Sequence, residues 1–415
     1  MSGAPGAGGY SGLDIGEGGR LFHIGIPKTG TTFIQRTAVA CRAEVEEHGV
    51  CYPRPVGTKH NHRDAVHAVL GYGLAGTPAP GREVWDAFRA QVQAETRRRV
   101  WFGYEAASGA SEDQARFFAS QLGPRLHVVI TLRGFGDILP SIWQESAKLR
   151  SGLGYEDFLR SVIGGPEAGG PEAGGTGRRR SRAFLERNDQ GLVVRRWAEV
   201  MGPENVTVVI VDKQRPDHLA HAFEGLLGLP HGLLAGRAAG PGRSNRALTL
   251  DEAELARRVA AGLRHDLAPA DYLRIVRSGA MLGIIHSERD RSGDRRLALP
   301  QWAAEAATRR GGQFADQIAA SGVRVVGNLG LLRAEARGVP ERQLDVPDVP
   351  IGIGVDAVAG VALRGAELLE TARAATREAR SRSVGKASSR QLTRVMAGRV
   401  ARRAKGVVQR KGKTR

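Results

Sequence analysis

Leu21-Phe22-His23-Ile24-Gly25-Ile26-Pro27-Lys28-Thr29-Gly30-Thr31-Thr32 is the stretch on which the fold turns. Its first six residues are a short apolar run, bounded by Pro27, with the composition of a buried strand. A helix is expected over 32–48, ending before Gly49. A glycine-containing turn between strand and helix points backbone N–H groups at one spot. The helix N-terminus adds roughly half a positive charge there. Lys28 adds a full charge, and Thr31 and Thr32 add hydroxyl donors. This is an anion site suited to a phosphate-like group; the plainer reading is an ordinary turn capped by a threonine.

Working outward, three further apolar, β-branched segments read as buried strands: 100–104, 126–132 and 206–211. Helical patterns lie between them at 84–99, 112–122 and 141–149. Strands alternating with helices predict an α/β fold, a central parallel sheet flanked by helices. Residues 247–335 are mostly helical, with Thr249 and Glu252 in the spacing of a capping box, so the C-terminal part is expected to be mainly α. The domain organisation expected is a mobile Gly-rich segment 1–20, a catalytic-sized domain 21–335, a linker and helix 336–370, and a basic tail 371–415. The repeat GGPEA and the cluster Arg178, Arg179, Arg180 and Arg182 mark 164–182 as a flexible surface insertion.

The chain has 415 residues and a formal net charge of +18. Residues 371–415 hold fifteen basic residues and the single acid Glu378, so about +14 of that charge lies in the tail. A near-balanced body excludes a wholly nucleic-acid-coating protein. The tail lacks Phe, Tyr and Trp for base stacking, so no specific nucleic acid is expected. Its Leu392, Val395, Met396 and Val400 recur at helical spacing, which suits an anionic membrane surface. Only two cysteines occur, too few for a disulfide framework. With no secretory pattern at the N-terminus and no long apolar span, a cytoplasmic setting, peripheral at the inner membrane face, is expected.

Only eight of the 61 cations are lysines, and only Lys28, Lys59, Lys148 and Lys213 precede the tail. The loop comes close to G-x-x-x-x-G-K-[ST], but Thr31 follows Gly30 where that pattern has lysine. Lys28 sits two residues before the glycine and reaches a different oxygen. A second anion site is expected where the strand 126–132 ends at Arg133. Its planar fork and the hydroxyl of Ser141, eight residues on and read as opening a helix capped by Asp137, are placed to grip one phosphate.

Pro27-Lys28-Thr29-Gly30-Thr31-Thr32 closely resembles the 5′-phosphosulfate loop of the sulfotransferases that use 3′-phosphoadenosine 5′-phosphosulfate (PAPS). Arg133 with Ser141 resembles the 3′-phosphate motif of the same superfamily. Tyr52-Pro53, Asn61-His62, Trp197 and Arg243-Ser-Asn245 are similar to its bacterial members, over about residues 21–330. The resemblance implies a P-loop NTPase-like fold, PAPS as co-substrate without a required metal, and transfer of a sulfuryl group to a hydroxyl or amine of a carbohydrate, lipid or small-molecule acceptor. It implies Lys28 opposite the leaving phosphate and a base at the end of strand 100–104, where Glu105 stands. His62 is the second candidate base, ahead of His60 and His67. The arginines of 178–182 are candidates to fold over the nucleotide. Two other readings stay open: an NTP-dependent kinase with Asp212 at a Mg-binding strand end, and a non-catalytic anion-binding protein docked through its tail.

Overall fold

The computed structural model describes residues 10, 12–54, 56, 62–163, 184–237, 246–340 and 344–386. In chain order its elements are β1 (Arg20–His23), α1 (Thr31–Ala40), α2 (Arg42–Glu47), β2 (Val50–Cys51), α3 (Arg63–Leu70), α4 (Arg82–Ala94), β3 (Arg99–Gly103), α5 (Glu112–Leu122), β4 (Leu126–Leu132), α6 (Phe135–Lys148), α7 (Tyr155–Ile163), α8 (Gln190–Met201), β5 (Val206–Ile210) and α9 (His218–Leu226). Then come α10 (Leu250–Leu263), α11 (Pro269–Tyr272), a π-helical segment Leu273–Met281, α12 (Leu282–His286), β6 (Leu299–Pro300), α13 (Gln301–Ala320), β7 (Arg324–Val326), β8 (Gly338–Val339) and α14 (Ile351–Lys386).

Six strands form one sheet in the order β2-β3-β1-β4-β5-β7, and every neighbouring pair is parallel. The fold is therefore the expected α/β architecture with a parallel central sheet. Alternate residues of each strand enter opposite cores, as the two-residue period requires. Phe22, Val100, Phe102, Val128, Ile130 and Val208 face one core, with Trp85, Phe118 and Trp197. Leu21, Trp101, Val129 and Val209 face the other, with Ile34 and Phe223. Chain order places β2 and β3 on one side of β1, and β4 and β5 on the other. Such a reversal opens a crevice at the carboxyl ends of the strands.

Several expectations shift. The first helix divides at Cys41 into α1 and α2. Residues 10–20 are not a free lead-in: Tyr10 and Leu13 are buried, and the Tyr10 hydroxyl lies 2.7 Å from His218 Nδ1. The edge strand β7 was unforeseen; three residues pairing on one side only give a weak sequence signal. The region 336–370, expected as a linker and helix, opens with β8, which pairs with β6. The capping box on α10 is present as expected, with the Thr249 hydroxyl accepting from Glu252 N–H and the Glu252 carboxylate accepting from Thr249 N–H. The insertion with its arginines lies outside the described residues, as do Lys59, His60, Asn61, Arg243–Asn245 and 387–415.

Candidate functional site

The turn after β1 lies at the carboxyl edge of the sheet, where the strand order reverses. Gly30 is the N-cap of α1, with φ 88°, and Lys28 also has positive φ, at 71°. Left-handed backbone at Lys28 and Gly30, on either side of Thr29, is a turn of the kind from which anion-binding concavities are built. Glycine suits Gly30 chiefly by its positive φ; a Cβ there would meet the end of the Leu219 side chain, 2.6 Å from Cδ2, which would have to shift. A residue with a Cβ costs about 1–2 kcal/mol in this conformation, so holding Lys28 in it implies compensation from its surroundings.

The two threonines differ. Thr29 is fully buried, and its hydroxyl donates to Ile26 C=O at 2.5 Å and contacts Thr131 Oγ1 at 2.7 Å. That hydroxyl ties the loop to β4. Thr31 is buried at the first position of α1 and Thr32 is exposed beside it.

Lys28 Nζ lies 2.9 Å from Glu145 Oε2 on α6. The same carboxylate meets Lys148 Nζ at 2.8 Å and an Arg277 guanidinium nitrogen at 3.2 Å. Burial works to raise the pKa of Glu145, but the three cations outweigh it and hold the carboxyl well below its usual range. Three positive groups thus converge on one negative group, which leaves the cluster net positive. Arg277 comes from the π-helical segment; such a departure from regular helix often marks a functional site.

Glu105 lies two residues beyond the end of β3, one strand across from the Lys28 turn. It is half-buried, and Gln35 of α1 donates to its Oε2 at 3.0 Å. Burial raises its pKa, opposed by hydrogen bonds from its own N–H and from Gln35 and by the charge of Lys28. A carboxylate with raised pKa beside a cationic cluster is a competent proton acceptor.

His62 is corrected as a candidate base. It is completely buried; its Nε2–H donates to Pro53 C=O at 3.0 Å, and its Nδ1 accepts from Gly103 N–H at 3.2 Å. Burial lowers its pKa to about 4. Both ring nitrogens are spent on tying the loop before α3 to the end of β3. His67 is likewise buried against Tyr72 and Tyr104.

Arg133 follows β4 and pairs through Nε with Asp137 Oδ2 at 3.3 Å; Lys213 Nζ meets Asp137 Oδ1 at 2.7 Å. Ser141 does not open a helix. The helix α6 starts at Phe135, Gly134 is its N-cap, and Pro140 is accommodated inside it. Asp137 is accordingly not the cap; it stands in the first turn as the partner of two cations. Ser141 lies one turn further on the same helix, half-buried. Sequence reasoning missed Glu145, Lys148, Arg277 and Lys213 as site residues. The scarcity of lysine was the available signal: the three described lysines of the body all pair with acids of α6.

A solved sulfotransferase from Alicyclobacillus acidocaldarius is similar to this chain. The identity is 13%, the match covers 61% of this chain and 98% of that one, and the TM-score is 0.36. No family model and no curated protein matches the sequence.

The crevice gathers groups from the ends of three adjacent strands: Glu105 from β3, Lys28 from β1 and Arg133 from β4. It sets the Lys28 cluster around Glu145, and the carboxylate of Glu105, alongside the Arg133 and Lys213 cations paired with Asp137. A separate cavity of about 320 Å³, lined by Gly123, Pro124, Met201 and Asn205, lies at the opposite end of the strands and shares no residue with the crevice.

Proposed function

We propose that the protein is a sulfotransferase that moves the sulfuryl group of PAPS to an acceptor hydroxyl or amine. The observation that carries the reading is Lys28: a lysine two residues ahead of Gly30, on a left-handed turn at the switch point of a parallel sheet, beside the half-buried carboxylate of Glu105. Lys28, the N–H groups of Gly30 to Thr32 and the hydroxyls of Thr31 and Thr32 hold the 5′-phosphosulfate. Arg133 and Ser141 hold the 3′-phosphate, with Pro27 and Thr29 shaping the first loop. PAPS fits this donor set, which supplies cations and N–H donors at two separate points.

In the transfer, the acceptor oxygen forms a bond to sulfur while the bond from sulfur to the bridging phosphate oxygen breaks. Glu105 takes the acceptor proton. Negative charge grows on the departing phosphate, where Lys28 and the N–H groups of the turn offset it. Lys28 is held by Glu145 before the nucleotide arrives, so the phosphate competes with that carboxylate for the ammonium. Lys148 and Arg277 remain to balance Glu145 once Lys28 turns away, which makes the exchange inexpensive. The acceptor is a carbohydrate, lipid or small molecule bearing a hydroxyl or amine.

A mass-spectrometric comparison of cells with and without the protein tests this reading. Sulfated products that depend on the protein, and vanish with Lys28→Ala, support it. Phosphorylated products instead would point to nucleoside-triphosphate chemistry.

A further inference from the structure

The helix α14 is 36 residues long, and among its described side chains only part of one face is covered. Ile353 and Ala357 are buried against the body. Gly360 crosses the π-helical segment so closely that a Cβ on it would lie 2.4 Å from Gly279 C=O and 2.9 Å from Gly283 Cα. The helix is therefore seated firmly at its N-terminal half, on the segment that supplies Arg277.

Its other face is unpartnered and apolar. Seven large hydrophobic side chains are exposed among the described residues, and five of them lie on α14. Ile351, Val355, Val358 and Leu369, with Ala362 between, follow the four- and three-residue steps of a single helical stripe. Ile351 is 86% exposed and Val358 70%; Leu363 stands to one side. Beside the stripe, Leu255, Val349, Pro350 and Gly354 complete a groove of about 600 Å³. The acids Asp356, Glu367, Glu370 and Glu378 fall away from the stripe, whereas Arg373 continues it and Arg377 borders it. Beyond the helix, residues 387–415 add ten cations and no acid.

We infer that α14 docks the protein on an anionic lipid bilayer, with the stripe from Ile351 to Leu369 in the interface and Arg373 and Arg377 at the headgroups, in a chain whose sequence beyond them is strongly cationic. Charge complementarity selects this occupant. An apolar stripe that runs into a polybasic segment combines the two signals that stable peripheral binding needs. A second copy of the chain laid along the stripe in parallel would bring two strongly cationic tails together, which like-charge repulsion opposes. Among the described residues no helix is long and apolar enough to cross a membrane, so the contact lies on the bilayer surface. Docking here differs from attachment by the tail alone, because it fixes the side of the body that carries Arg277 toward the lipid.

The test is co-sedimentation of the full chain with vesicles of equimolar phosphatidylglycerol and phosphatidylcholine, or of phosphatidylcholine alone. The full chain is expected to bind the anionic vesicles. Val355→Glu/Val358→Glu, at two exposed positions, is expected to weaken partitioning by about a hundredfold, roughly tenfold for each buried valine lost. Should that variant lose its thermal transition, Val355→Ser/Val358→Ser serves instead, with a loss of about tenfold or more. Binding of the folded variant equal to that of the full chain would leave the tail as the only anchor and overturn the proposal. So would failure of the full chain to bind anionic vesicles, or light scattering that shows a dimer dissociated by the same substitutions.

Discussion

Lys28 joins two properties that substitution can separate, a positive charge and a left-handed backbone. Lys28→Ala removes the ammonium and keeps a Cβ at φ 71°. Lys28→Gly removes both. The Lys28–Glu145 pair is partly exposed, at 31% and 24% for the two side chains, so its loss alone costs at most about 1 kcal/mol. Lys148 and Arg277 still balance Glu145 in either variant. The glycine variant is relieved of about 1–2 kcal/mol of left-handed strain, against about 0.4–1 kcal/mol for the greater freedom of its unfolded chain. It should be more stable than the alanine variant by about 0.5–1 kcal/mol, a melting difference on the order of 1–2 °C for a chain of this size. A charge-assisted contact to phosphate contributes about 1.5–3 kcal/mol. Both variants should therefore bind 3′,5′-diphosphoadenosine about 10- to 150-fold more weakly than the native protein. Calorimetry and thermal melts on the three proteins supply both readouts. Native-like affinity in Lys28→Ala would refute the placement of the ammonium on the phosphate. A glycine variant no more stable than the alanine variant would refute the strain argument.

Glu105→Gln should lower the transfer rate by about 10²–10⁴-fold while diphosphate binding stays within about twofold, measured by single-turnover transfer and calorimetry; because burial raises the Glu105 pKa, native activity should climb with pH along a limb displaced above the usual carboxylate range, and a limb in the ordinary range would contradict this. His62 and His127 are buried neutral, with pKa values lowered to about 4, so the unfolded chain binds more protons between pH 4 and 6.5. Stability should be full above about pH 6.5 and fall as pH drops toward 4, by up to roughly 3 kcal/mol for each; a melting temperature that is flat over this interval would exclude the burial of these rings. Gly360→Ala places a Cβ against backbone of the π-helical segment and should cost about 1–3 kcal/mol, with faster proteolysis within α14; an unchanged digestion pattern would count against the close crossing.

Much of the sheet was legible because its strands are buried on both faces. Continuous β-branched runs such as Leu126–Leu132 then leave an unambiguous trace. β7 left little, being short and half-exposed. The start of α6 was misplaced by six residues because Pro140 reads as a helix boundary, whereas α6 carries it inside at the cost of the bond its missing N–H would make to Gly136 C=O. At the candidate site, Lys28, Glu105 and Arg133 could be named from the sequence because each follows one of three readable strands. Glu145 and Arg277 were not, since each is an ordinary helical residue in sequence and gains meaning only where α6 and the π-helical segment meet. His62 attracted attention by its residue type, and its role was decided by burial, which a flanking sequence of polar residues conceals.

The most direct test of the central claim is a titration of the full chain with 3′,5′-diphosphoadenosine in the absence of divalent cations, set beside ATP with Mg²⁺. The proposed phosphate sites, at Lys28 and its turn and at Arg133 with Ser141, predict tight, metal-independent binding of the diphosphate, weakened by Lys28→Ala and by Arg133→Ala separately. Mg²⁺-dependent binding of ATP with no response to the diphosphate would contradict the account.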